Sequence, residues 1–129
     1  MPLRYLTRTV PRNTLAGFQR LASVGLVTPL RDGMNLVAKE WVAAQDPENP
    51  GALVLSRFAG AVEELGGAVV VNPHDPDETA EALHIALTLS AEDRKARWQG
   101  MWEKVRRNTA SAWARHFLRV LEEDAARAA

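Results

Sequence analysis

Three short apolar runs, separated by helical patterns, constrain this chain more than any other feature. The runs read VGLVT, ALVL and AVVV, and proline or glycine lies at the boundary of each. Strands that are apolar throughout, rather than at alternate positions, are typical of a parallel sheet covered on both faces. The pattern therefore predicts an α/β fold with a partial, Rossmann-like, mainly parallel sheet. The predicted strands are Val24–Thr28, Ala52–Leu55, Ala68–Val71 and a weaker one at Leu3–Leu6.

Helical periodicity fills the gaps between these runs and takes over after residue 74. Asn13-Thr14 is predicted to cap a first helix. A second helix is expected to begin near Met34, and residues 58–65 are expected to form a short third helix. Asp75-Pro76 and Ser90 have the residue types of helix starts, and a bend is expected at Asn108 or Thr109. We therefore expect a single partial domain over 1–129, with a βαβ part at 1–73 and a helical part at 74–129.

Composition excludes several classes of function. The chain has no cysteine, which removes disulfides and thiolate metal sites, and its three histidines are far apart in sequence. Its 16 basic residues balance 16 acidic ones, so no overall charge draws it to nucleic acid or anionic lipid. No apolar run is long enough to span a membrane, and the first residues lack a secretory leader pattern. We expect no metal, no membrane or nucleic-acid partner, and a cytoplasmic location.

Two charged stretches have simple structural interpretations. Arg94, Lys95 and Arg97 lie among tryptophans, a mixture that nucleic-acid sites also show. Nearby acidic residues dilute this charge, which favours an amphipathic helix with its tryptophans inward. Glu63-Glu64 is expected to cap or solvate a short helix.

The stretch from Val24 to Gln45 carries the chemistry. Ligands of open α/β sheets bind beyond the carboxyl ends of the strands, and the following helix N-terminus suits phosphate. Asp32 can accept hydrogen bonds from sugar hydroxyls, Gly33 permits close backbone approach, and Glu40 lies two turns into the helix. The residues alone leave an alternative open: a solvated Asp-Gly turn with a surface Lys39–Glu40 pair, since position in a fold does not establish a site.

A longer motif extends this interpretation. PLRDGMNLVAKE, followed by DPENPG, LVLS, FAGA and VVNPHDP, resembles the C-terminal part of the trehalose-6-phosphate synthase family. That family consists of retaining glycosyltransferases with the two-domain GT-B fold. The resemblance runs from about Tyr5 to the last helix, although Ser23 stands where family members often have Asp. The chain is thus expected to be a C-terminal fragment that lacks the domain for glucose 6-phosphate.

The resemblance implies an activity and a set of contacts. The activity is transfer of glucose from UDP-glucose to glucose 6-phosphate, giving α,α-trehalose 6-phosphate, with no cofactor. Asp32 is the implied catalytic residue that holds the donor glucose, Glu40 takes the ribose, and Val10 meets the uracil through its backbone. The implied UDP-glucose contacts are Val10, Asp32, Gly33, Met34, Asn35, Leu36, Val37, Ala38, Lys39 and Glu40.

Two other functions stay open, and so does the partner. One alternative is a related enzyme such as a glucosylglycerol-phosphate synthase, because the acceptor site would lie outside this chain. The other is a non-catalytic module that binds a nucleotide sugar or a partner chain. The expected macromolecular partner is either a chain that supplies the missing N-terminal part or a second copy.

Overall fold

A computed structural model describes residues 3–128, which form a three-stranded parallel sheet flanked by helices. The strands are β1 (Val24–Val27), β2 (Ala52–Ser56) and β3 (Val69–Val71), in the spatial order β1-β2-β3. The helices are α1 (Arg12–Leu21), α2 (Leu36–Ala44), α3 (Pro76–Thr88), α4 (Ala91–Arg107) and α5 (Ala110–Ala128), with a 3₁₀ turn at Gly60–Glu63. The predicted α/β class and the three stronger strands are confirmed, each strand within one residue of its predicted ends.

The central strand β2 explains why the apolar runs are continuous. All five of its residues are buried, because helices cover both faces of the sheet. Leu53 and Leu55 pack with α2 and α4, whereas Ala52 and Val54 pack with α3. Burial of each such leucine contributes about 1.5–3 kcal/mol relative to leaving it exposed.

Helix α4 closes the larger of the two cores. Its Trp98 and Met101 are buried against α2, and the Trp98 indole Nε1 donates to the Val42 carbonyl oxygen at 2.9 Å. Trp102 stacks on Trp98 with ring centroids 6.2 Å apart. The tryptophans of α4 therefore face inward, which confirms the amphipathic interpretation of this helix.

Several helix boundaries follow the predicted capping residues. The Asp75 carboxylate accepts from two amides of α3, and the Ser90 hydroxyl accepts from the Asp93 amide at 3.0 Å. Helix α4 ends at Arg107, with Asn108 as its C-cap, where the bend was predicted. The Asp75 and Ser90 side chains satisfy backbone amides that the helices themselves leave unpaired.

Other predicted features are wrong. Leu3–Leu6 forms no strand, and its side chains are exposed; without a neighbouring strand its backbone would gain no ladder of hydrogen bonds. Helix α1 begins one residue before Asn13, with Pro11 at the N-cap position and no side-chain cap. The expected helix over 58–65 is limited to the 3₁₀ turn.

Two apolar surfaces remain uncovered within residues 3–128. Among the described residues, strand β1 pairs with β2 alone, and its Leu26 is 47% exposed. Helix α5 presents Trp113, Phe117, Val120 and Leu121 to solvent. No helix in this described part of the chain is both long and apolar enough to cross a bilayer.

Candidate functional site

The loop between β1 and α2 is tied to the loop that follows β2. The Asp32 amide donates to the Phe58 carbonyl at 3.1 Å, and the Gly60 amide donates to the Asp32 carbonyl at 2.9 Å. The Ala61 amide donates to the Met34 carbonyl at 2.6 Å. A Cβ atom on Gly60 would overlap the Gly33 carbonyl, so only glycine permits this approach. The loops that follow β1 and β2 are thus held together by three backbone hydrogen bonds.

Two hydrogen bonds orient the Asp32 carboxylate within these joined loops. Its Oδ1 accepts from the Met34 amide at 3.0 Å, and its Oδ2 accepts from Asn35 Nδ2 at 3.0 Å. The hydrogen bond from the Met34 amide is the largest influence and lowers the pKa of Asp32 below its ordinary value; desolvation, the next largest, opposes it, and the hydrogen bonds from Asn35 add to the lowering. Asp32 is therefore ionised at neutral pH. It is partly exposed, and its remaining lone pairs can accept hydrogen bonds from a ligand.

Asn35 links this carboxylate to helix α2. Its Oδ1 accepts from the Ala38 amide at 2.8 Å, while its Nδ2 donates to Asp32. Asn35 has φ 74°, and among residues 3–128 no other non-glycine residue has a positive φ. Asparagine tolerates this left-handed conformation better than most residues because its short side chain bonds locally.

The first turn of α2 offers unpaired amides. The N–H groups of Leu36 and Val37 have no intrahelical acceptor, because they precede the first complete turn. Both side chains are exposed, and the first turn contains no acidic residue. A positive helix end with free amides is the arrangement that binds phosphate groups.

Ala38 and Lys39 have partners within the protein. Ala38 is fully buried, and Asn35 already accepts from its amide. Lys39 Nζ lies 2.8 Å from the Glu64 carboxylate, and its side chain is largely buried. Since Lys39 pairs with Glu64, the alternative of a surface Lys39–Glu40 pair is wrong.

Glu40 and Val10 lie toward helix α1. The Glu40 carboxylate is half-exposed and lies 3.9 Å from the Arg12 guanidinium. Val10, two residues before Arg12, lines an open cavity of about 670 Å³ with Pro11 and Phe18. Val10 therefore lines a different cavity from Met34, Leu36 and Lys39.

Sequence reasoning did not assign Glu64 its actual contacts. Its carboxylate accepts from Lys39 Nζ and, at 2.7 Å, from Asn108 Nδ2. These bonds, with Lys39 foremost, lower the pKa of Glu64. The Glu64 side chain therefore joins α2 to the α4–α5 bend, while its backbone, as the C-cap of the 3₁₀ turn, donates to the Ala61 carbonyl. Its partners lie 25 and 44 residues away in sequence, so no local pattern signals them. A cavity of about 530 Å³ opens beside them, lined also by Met34, Leu36 and Trp113.

The basic residues of α4 have structural partners. Arg94 donates to the Pro50 carbonyl at 3.0 Å, Lys95 pairs with Glu48 at 3.1 Å, and Arg97 donates to the Gly67 carbonyl. These contacts attach α4 to neighbouring loops and support the structural interpretation of its charge. Within residues 3–128, no group of three or more acidic or histidine side chains is placed to hold a metal ion.

Comparison with known proteins assigns the chain to a family. The sequence profile of Glycosyltransferase family 20 matches residues 1–123. The chain belongs to glycosyltransferase family 20. A trehalose-6-phosphate synthase from Sinorhizobium fredii is 55% identical over 121 residues, which are 94% of this chain and 26% of that protein.

Solved members of the same family share the fold. A UDP-forming α,α-trehalose-phosphate synthase from Burkholderia xenovorans, in complex with glucose-6-phosphate, superposes with TM-score 0.88 at 55% identity. The E. coli trehalose-6-phosphate structure bound with UDP-2-fluoro glucose also gives 0.88, at 53% identity. The match covers 94% and 93% of this chain, respectively, but 27% of each neighbour. The family 20 chain described here therefore spans about a quarter of the length of its relatives.

Proposed function

We propose that this chain carries part of the donor-sugar site of a UDP-forming trehalose-6-phosphate synthase. The observation that carries the proposal is the hydrogen-bonded series from Asp32 through Asn35 to Ala38, beside the free first-turn amides of α2. A fixed carboxylate next to a positive helix end suits a sugar joined to a diphosphate. Relatives named for this activity, and a neighbour that holds a UDP-glucose analogue, support the same substrate class.

In this proposal each group has one task. Asp32 accepts hydrogen bonds from hydroxyls of the donor glucose, and the amides of Leu36 and Val37 face the diphosphate. Glu40 accepts from the ribose, and the backbone near Val10 meets the uracil. Gly33 has open space where a Cβ would lie, which leaves room for the sugar beside the backbone.

The reaction needs positioning and charge stabilisation rather than a covalent protein intermediate. The C1–O bond to the diphosphate of UDP breaks, and a bond forms between C1 and the acceptor hydroxyl oxygen on the same face. The leaving phosphate takes the acceptor proton. The α2 amides stabilise the charge that develops on the diphosphate, and Asp32 holds the glucose in position. No metal or cofactor is required by this scheme, and the GT-B arrangement and cytoplasmic location remain predictions.

Donor binding tests the site directly. We would titrate the chain with UDP and with UDP-glucose by calorimetry or ligand-observed NMR. Asp32→Ala should weaken the binding of UDP-glucose more than the binding of UDP. Glu40→Ala should weaken the binding of both ligands, because both contain ribose. Each lost charge-assisted hydrogen bond is worth roughly 1.5–3 kcal/mol. Glu81→Ala, an exposed change on α3, is the matched control. Equal losses for the two ligands in Asp32→Ala would contradict the assignment.

Turnover tests the proposed division of the enzyme. The purified chain, supplied with UDP-glucose and glucose 6-phosphate, should form no trehalose 6-phosphate above background. It spans a quarter of its relatives, and loss of even one preorganised electrostatic donor costs on the order of a hundredfold in rate. Trehalose 6-phosphate production by the chain alone would show that its site is complete. Donor binding without any nucleotide-sugar specificity would favour a non-catalytic binding module instead.

A further inference from the structure

The cavity of about 530 Å³ lies between the start of α2 and the first two turns of α5. Its walls are mostly apolar and come from both sides: Met34 and Leu36 beside α2, and Ala110, Ala112 and Trp113 on α5. Binding sites for small molecules have this size, and they combine apolar walls with a few polar groups that select the ligand. The polar side chains of the cavity therefore indicate what it can bind.

Three of these polar side chains form a cluster without net charge. We define the polar cluster as Lys39, Glu64 and Asn108, all of which line the cavity. Lys39 Nζ donates to Glu64 Oε1 at 2.8 Å, and Asn108 Nδ2 donates to Glu64 Oε2 at 2.7 Å. The Lys39 and Glu64 side chains are 15% and 29% exposed, so the two charges neutralise each other where solvent is limited. A charged ligand group placed here would therefore lack a free partner of opposite charge.

The histidine of the cavity has its own partner. His116 Nδ1 lies 2.9 Å from Arg119 Nη2. Because arginine can only donate hydrogen bonds, Nδ1 is the acceptor in this contact and the ring carries its N–H at Nε2. His116 in this arrangement adds a hydrogen-bond donor to the cavity and leaves the summed charge of the lining side chains at zero.

The polar cluster can both donate and accept further hydrogen bonds. Lys39 Nζ carries three N–H groups, and its bond to Glu64 uses one of them. The Glu64 carboxylate has room for more than two hydrogen bonds, and Asn108 bonds it through Nδ2, which leaves Oδ1 as an acceptor. A hydroxyl is the neutral group that both donates and accepts. Several hydroxyls therefore match this cluster better than a carboxylate, which only accepts, or an ammonium group, which only donates.

Trp113 supplies a flat apolar surface on the α5 side of the cavity. Phe117 stacks on it with ring centroids 5.3 Å apart and an angle of 15° between the rings. A stack of this kind occupies one face of the indole, and Trp113 is 65% exposed, so its second face is free for a ligand. One side of a pyranose ring is a flat array of C–H groups, which packs on such a surface while the hydroxyls point outward.

We propose that this cavity binds a neutral pyranose sugar, with the C–H face of the ring on Trp113 and hydroxyls bonded to the polar cluster. The proposal goes beyond the donor site, which uses Asp32 and backbone amides of α2, so either site can fail without the other. The expected dissociation constant is on the order of millimolar, because the cavity is open and the ligand is small and uncharged.

An NMR titration of the full chain tests the proposal, with the indole N–H signal of Trp113, assigned through Trp113→Phe, as the reporter. Glucose and trehalose are the neutral probes, and glucose 6-phosphate and glucosamine are the charged ones. The neutral sugars should shift the signal saturably, and the charged probes should bind about fivefold more weakly or worse. No saturable shift with either neutral sugar up to about 100 mM would overturn the proposal. Tighter binding of glucose 6-phosphate would also overturn it, because it would identify an anion site.

Sugar-observed saturation transfer compares the variants, with circular dichroism to verify that α5 stays helical. Trp113→Leu keeps an apolar side chain but removes the flat ring, so binding of glucose should weaken about fivefold, whereas Trp113→Phe should retain most of it. Leu118→Ala, at another exposed apolar residue of α5, is the control and should have no effect. Equal losses in Trp113→Leu and Trp113→Phe, or a similar loss in Leu118→Ala, would contradict the stacked arrangement.

A change of charge in the polar cluster tests the selectivity. Glu64→Gln leaves Lys39 without its counter-charge, so the preference should move from glucose toward glucose 6-phosphate. An unchanged preference would overturn the role of the cluster. UDP binding is measured on the same samples. Loss of glucose binding with UDP binding retained overturns this proposal alone, whereas glucose binding without UDP binding supports it and overturns the donor site.

Discussion

Helices α2 and α3 begin in the same architectural position but have opposite electrostatics. Both follow a strand of the parallel sheet through a short polar loop. The start of α3 is rich in its own carboxylates: Asp75 caps two amides, and Asp77 and Glu78 lie in the first turn. Glu78 in turn accepts from Arg57 at 2.6 Å and from the Asn72 amide at 2.9 Å.

The start of α2 has a neutral cap instead. Asn35 contributes an amide rather than a carboxylate, and the first turn contains no acid. The nearby carboxylate of Asp32 is held by Met34 and Asn35, before the helix begins. The positive end of α3 is therefore neutralised by the protein's own carboxylates, whereas the first turn of α2 contains none. This difference is what the proposed diphosphate contact at α2 rests on.

The largest effect is expected where the α2 loop meets its neighbour. In Gly60→Ala the new methyl group would overlap the Gly33 carbonyl, which belongs to backbone and cannot rotate away. We expect a loss of about 3 kcal/mol in the free energy of unfolding, at the upper end for overpacked sites, measured by urea denaturation. Gly66→Ala, where a Cβ meets nothing within 4 Å, should change it little. An unchanged stability of Gly60→Ala would show that the two loops are not rigidly joined.

The two caps should differ in their cost when removed. Asp75→Ala loses one N-cap, worth about 1 kcal/mol. Asn35→Ala loses its cap as well and forces alanine into a left-handed conformation, which adds roughly 1–2 kcal/mol. Urea titrations should therefore show the larger loss for Asn35→Ala. Asn35→Gly relieves the backbone strain and should recover most of that loss. If Asp75→Ala proves the more destabilising variant, the conformation of Asn35 is not an important source of strain.

A smaller, pH-dependent effect is expected at Glu64, which connects α2 to the α4–α5 bend. The folded pKa of Glu64 lies below its ordinary value of 4.5. Its ion pair therefore stabilises the fold above about pH 4.5, and this contribution is lost as pH falls through the lower folded pKa. Melting temperatures between pH 7 and pH 3 should fall less steeply for Glu64→Gln than for the wild type. Glu63→Gln is the neighbouring control. Parallel curves for Glu64→Gln and the wild type would contradict this assignment.

Much of the fold is predictable because its strongest signals are local or compositional. The unbroken apolar runs identified three strands. The central strand β2 is covered by helices on both faces of the sheet, and β1 and β3 pair with it. Asp75 and Ser90 marked helix starts because their side chains bond to amides two or three residues away. The strand predicted at Leu3–Leu6 is wrong because a strand needs a neighbouring strand to pair with. None lies beside this segment in the described residues, and the local sequence does not reveal that.

The site was predicted less completely. The residues around Asp32 come from one continuous segment, so a motif could identify them together. The partner loop at Gly60 and the Lys39–Glu64–Asn108 contacts join segments that are far apart in sequence, and only the tertiary structure reveals them. Lys39 illustrates the difference: its motif position implied a ligand contact, which stays a prediction, while its ion pair with Glu64 is visible only in the structure.

The position of α4 also determines when the chain can fold during its synthesis. The core beside β2 is completed by Trp98 and Met101, which leave the ribosome about 45 residues after β2. At roughly 5–20 residues per second, this interval lasts about 2–9 s. During that time one face of the sheet has no cover from α4, and its leucines are accessible to chaperones or to other nascent chains. The lifetime of this half-covered sheet, rather than the stability of the finished core, should then govern the yield of folded protein.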